Sequence, residues 1–185
     1  MADNEDFINK TYYLKDIPKK RKYILNRLQM IYTGKNKRDL EKILDQIKIE
    51  FRKQKDRGSS THKDKRVYIT TREIDRYDIN DEDDVKKYLN KPKSVITHEI
   101  IHIFQNIFKD FPHVDYTKGK NSIDYKKYVT DAGEIQARIE QIIDMLKQGF
   151  TKDEIKNFLY SKKYKDADLW KVLVDDAENI LKKEN

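Results

Sequence analysis

Residues 95–111 read VITHEIIHIFQNIFKDF, and apolar side chains at 95, 96, 100, 101, 103, 104, 107, 108 and 111 leave almost no polar face. A helix apolar on nearly every side must be central, with other elements packed around it. Pro92 suits the first helical position, with Asn90 or Lys91 before it, and Asp110 and Pro112 end the run. Between Lys93 and Lys109 the only ionisable residues are His98, Glu99 and His102. Buried polar groups need a hydrogen-bond partner or a metal to offset lost hydration, so these three carry the chemical interest of the chain.

Their order, HEIIH, is the H-E-x-x-H pattern. A helix advances about 100° per residue, so His98 and His102 project from one face a turn apart, within reach of one metal ion. Glu99 points to the side, where a carboxylate takes a proton from water instead of binding the metal. With four His and eleven Glu, shuffling this composition would produce the pattern roughly 0.005 times per chain.

A catalytic zinc site takes three protein ligands and keeps a position open. Gln105 and Phe108 stand where a metzincin would have its glycine and third histidine, which excludes that arrangement. Glu134 is the better candidate. It lies in the first turn of a second amphipathic helix, TDAGEIQARIEQI, with Ile135, Ile139, Ile142, Ile143 and Leu146 on its apolar stripe. Two plainer readings of Glu134 stand beside ligation: a capping partner of Asp131, or an i,i+4 ion pair with Arg138. His113, after Pro112, is the rival third ligand, and His62 is more remote.

The chain here resembles the gluzincins, zinc peptidases with HExxH on one helix and a glutamate ligand on a following helix. More closely, HEIIHIFQ followed by GEIQAR is similar to zincin-type domains of bacteriophage and mobile-element proteins, where an HExxHxxQ-like helix precedes a GExxAR helix. The resemblance covers about residues 95–142. It implies Zn2+ held by His98, His102 and Glu134, with Glu99 as general base for hydrolysis of a protein or peptide substrate. The oxyanion stabiliser is open among Tyr116, Tyr125, Tyr128, His113 and Arg138. The family also places an edge strand over the cleft, here residues 66–71, against which an extended substrate can pair.

At 185 residues the chain suits one domain, or one with an appended helical piece. Charged residues make up 39% and the mean hydropathy is −0.98, yet apolar spacing is regular, which predicts a folded protein with a heavily charged surface. The absence of cysteine removes disulfides, thiolate metal sites and cysteine nucleophiles together. MADNEDF has neither the basic nor the apolar part of a signal peptide, and no stretch is long enough to span a membrane. The expected location is the cytoplasm, or a virion packaged from it.

Residues 1–72 hold 20 Lys and Arg against 10 Asp and Glu, and residues 73–185 hold 20 against 23, together the net +7. The surplus, in KKRKYILNR and around 52–72, suits nucleic acid or an acidic protein partner, or a solvated face. It defines a basic helical region over 1–64 ahead of a zincin-like catalytic domain over 65–185. The expected class is mainly α with a small β element (α+β), a zincin-like core with flanking helices. Helices are predicted over 19–32, 38–55, 81–89 with Asn80 as cap, 130–149, 151–160 and 167–183, and one strand over 66–71. A catalytically silent zinc-binding virion or interaction protein is the alternative function.

Overall fold

The computed structural model describes residues 7–52, 59–61, 64–70, 78, 81–90, 96–109, 132–159 and 167–184. Among them are seven α-helices and one four-stranded sheet, so the protein is mainly helical with a small β element. It divides into two compact units, residues 1–103 and 104–185, and the division falls inside one helix.

The first unit opens with β1 (Phe7–Tyr13), a short 3-10 turn and α1 (Pro18–Ile31). Pro18 occupies the first turn of α1, where its missing N–H costs nothing. Ile24, Leu25 and Leu28 form the buried stripe. Asn36 caps α2 (Lys37–Leu44), its side-chain oxygen accepting from Arg38 N at 2.8 Å. Arg21 Nε donates to Asp45 Oδ1 at 2.7 Å, tying α1 to the end of α2.

The helix expected over 38–55 stops at Leu44, and β2 (Lys48–Arg52) follows. Ile47 and Phe51 are four apart, which suits a helix, but Ile47, Ile49 and Phe51 also alternate with Lys48 and Glu50 at the period of a strand. The strand wins because it buries all three apolar residues and pairs its backbone on both sides. The sheet runs β1-β2-β4-β3, with β3 at Ser59–Thr61 and β4 at Arg66–Thr70. β1 is antiparallel to β2, β2 parallel to β4, and β3 antiparallel to β4. The strand expected at the edge, β4, is therefore interior, flanked by β2 and β3. Among the described strands the edges are β1 and the three-residue β3, neither of which was expected from the sequence.

Register puts Tyr12 opposite Ile49, Ile49 opposite Val67, and Phe51 opposite Ile69. All are buried, making one apolar face. The Phe51 ring meets Tyr12 edge-on at 5.7 Å between centroids and Tyr88 at 6.2 Å. Tyr88 belongs to α3 (Glu82–Leu89), which also buries Val85 and Leu89. Asp81, not Asn80, caps α3, its side chain accepting from Asp83 N and Asp84 N. The next described element is α4 (Ile96–Phe108). Ile96, Ile100, Ile101, Ile103 and Phe104 are all fully buried, as a helix apolar on every side requires.

The second unit takes the last turns of α4 and adds α5 (Ala132–Lys147), α6 (Lys152–Leu159) and α7 (Ala167–Glu184). Ile142, Ile143 and Met145 of α5, Ile155 of α6, and Leu173, Val174 and Ala177 of α7 form its core. Gly149, at φ 85°, lets Phe150 N reach Met145 O at 3.2 Å and ends α5. The expected capping box is present: Thr151 N donates to Glu154 Oε2 at 2.9 Å, and Glu154 N to Thr151 Oγ1 at 3.3 Å. No helix among the described residues is long and apolar enough to cross a membrane.

Candidate metal centre

α4 carries His98 and His102 because its apolar sequence drives the whole helix out of water, taking both imidazoles with it. They are 2% and 6% exposed. The rings stand nearly perpendicular, at 89°, with the two Nε2 atoms 3.1 Å apart. Glu134, 4% exposed in the first turn of α5, completes a group whose ligand atoms all lie within 4.8 Å of one another. Among the described residues this is the one group of three His or carboxylate side chains placed to hold a metal ion.

The donors suit a divalent cation. Two nitrogens bound to one tetrahedral zinc at about 2.05 Å would stand roughly 3.3 Å apart, close to the separation found here. Without an ion, one imidazole must donate its N–H to the other, and a carboxylate still has to be accommodated in the same buried space. Two histidines and one carboxylate are a donor set that leaves a coordination position for water or substrate.

Residues around the donors brace them. Arg138 Nε is 3.8 Å from Glu134 Oε2, one helical turn along α5, and its guanidinium also donates to Gln141 Oε1 at 3.2 Å. The i,i+4 pair foreseen as an alternative to ligation therefore coexists with the metal-compatible position of Glu134. Gln105 is 2% exposed, and its Nε2 donates to Gly133 O at 3.0 Å and to Gln136 Oε1 at 2.9 Å. Its role was not foreseen, although His98, His102 and Gln105 follow i, i+4, i+7 spacing on one stripe of α4.

Glu99 is 8% exposed beside His98 on α4. Of the transition-state stabilisers considered, Arg138 is described and lies against Glu134; Tyr116, Tyr125, Tyr128 and His113 fall outside the described residues, as does the remote histidine His62. A scan of protein-family models and searches of curated proteins and of solved structures found no match to this chain.

Proposed function

We propose that the chain is a zinc-dependent peptidase, built on a zincin-like core and using Glu99 as general base. The observation that supports this is the meeting of His98, His102 and Glu134 in one buried group, with a carboxylate adjacent to the first histidine. His98, His102 and Glu134 would hold the ion. Zinc there would polarise the scissile carbonyl and make water easier to deprotonate.

The protein's own residues do the rest. The apolar walls of α4 keep bulk water from the donors, which strengthens every charge interaction among them. Glu99 accepts the proton of the attacking water and delivers it to the departing amide nitrogen. Arg138 holds the Glu134 carboxylate by charge from within α5. An intracellular or virion-packaged enzyme of a phage or mobile element is the setting this reading favours.

The test is elemental mass spectrometry of tag-free protein, followed by cleavage of a mixed peptide library. About one zinc per chain and cleavage that disappears in Glu99→Gln are expected; a protein that stays zinc-free after zinc is supplied overturns the reading.

A second reading draws on the first unit, where Lys19 and Lys22 of α1 and Lys37 and Arg38 of α2 are exposed. Such a surface suits nucleic acid or an acidic protein, with a silent zinc site. Salt-sensitive binding that charge reversal at these four positions abolishes would support it.

A further inference from the structure

Gln105 follows His102 by three residues on α4, on the stripe that carries both histidines. Its side-chain amide is wholly buried, and both acceptors of its Nε2 flank Glu134 in sequence: the carbonyl of Gly133 and the side chain of Gln136. A first-turn carbonyl has two lone pairs, so Gly133 O can take this bond and still serve its helix. The amide thus clamps the backbone residue immediately before Glu134 and the side chain two residues after it. Glu134 is held from both directions while Arg138 acts on its carboxylate.

A ligand carboxylate tolerates little displacement, about 0.5 Å before productive geometry is lost. The first turn of α5 needs a fixed point, and a two-acceptor clamp from the helix that bears the histidines provides one. We infer that Gln105 is a positioning residue of the metal centre, setting Glu134 against the His98 and His102 nitrogens through Gly133 and Gln136. The inference rests on the metal-site reading above, and assigns Gln105 no contact with metal or substrate.

The test uses the full-length protein and measures zinc affinity by competition with a chromogenic chelator, alongside melting of the apo form. Gln105→Met keeps the chain length and removes both donors. It is expected to weaken zinc binding about 10- to 100-fold, the range for loss of a supporting contact. In a Glu134→Ala background the same change should produce no further loss of affinity, because its effect passes through Glu134. A residue that merely stabilised the fold would lower the apo melting temperature in both backgrounds and leave zinc affinity unchanged.

Gln136→Met removes one acceptor at a half-buried position and is expected to weaken zinc by about 10-fold, the lower end of that range. It decides the matter if Gln105→Met does not fold. Wild-type zinc affinity in Gln105→Met, or in Gln136→Met where only that variant folds, overturns the clamp while leaving the zinc site standing. Additive losses with Glu134→Ala overturn it equally. A wild-type protein that binds no zinc overturns both readings at once.

Discussion

Arg138 Nε lies 3.8 Å from Oε2 of Glu134, with the two side chains only 15% and 6% exposed. Water is scarce around that carboxylate, so the guanidinium helps to balance it when no cation is present. Removing it leaves a buried charge with less to balance it. Arg138→Met should therefore destabilise the apo protein by about 2 kcal/mol, less than a fully buried pair would lose because the arginine retains some solvent. Zinc supplies the missing positive charge, so added zinc should recover much of that loss. Melting with and without zinc checks this, and an equal deficit in both conditions would count against a metal at Glu134.

Zinc that binds only the native state raises stability by mass action, about 2.7 kcal/mol at a hundredfold excess over Kd. Wild type should melt higher as zinc is added and return to its apo value with chelator. His102→Ala should lose that dependence, and Glu134→Ala, which keeps both imidazoles, should keep only a weak remnant that appears at much higher zinc. Wild-type dependence in either one removes that side chain from the ligand set.

Glu99→Gln preserves shape and burial while losing the basic oxygen. Zinc content should stay at the wild-type level and turnover should fall about 10²- to 10⁴-fold, the usual weight of a general base. A variant that binds zinc and cleaves a substrate at the wild-type rate would sink the assignment.

Phe51 is 1% exposed and wedged between the rings of Tyr12 and Tyr88. Phe51→Ala should cost about 3–5 kcal/mol through lost burial and a residual cavity. Chemical denaturation measures it directly. A cost under about 1 kcal/mol would be incompatible with a strand whose alternate residues face this core.

Asp84 accepts from Lys87 Nζ at 2.9 Å and, more weakly, from Asp78 N at 3.4 Å, and these bonds hold its carboxyl below the usual 3.8. A lowered folded-state pKa means stability that is present above the unfolded value and lost as pH falls through the folded one. Asp84→Asn should flatten the acid limb of the stability profile below about pH 4 and leave the neutral-pH slope unchanged. Melting temperatures across that range, compared with wild type, test the sign.

The helices were the more readable half of this protein. α4 announces itself because no strand needs so long an apolar run, and the capping box at Thr151 and Glu154 is local chemistry, complete within four residues. β2 was misread because residues 47 and 51 satisfy two periods at once; the choice depends on β1 and β4, which lie far away in sequence. The same distinction runs through the candidate metal centre. His98, Glu99 and His102 are one local motif, and the structure brings both histidines together with Glu134, which was singled out from its helix and the family resemblance. Gln105 fitted the same pattern, but its bond to the following helix was not legible, because the acceptor is a carbonyl 28 residues downstream, and a carbonyl leaves no trace in residue identity.

The order β1-β2-β4-β3 also governs how the chain can be cut. Trimming the first 56 residues to remove the basic surplus would take away β1 and β2 together, stripping β4 of its parallel neighbour and exposing a raw row of amides and carbonyls beside Val67 and Ile69. Such a fragment would be prone to stick to itself before any question about its charge could be asked. The N-terminal segment is masonry as well as surface, and its electrostatics have to be probed by substituting exposed side chains such as Lys19, Lys22, Lys37 and Arg38 in the intact chain.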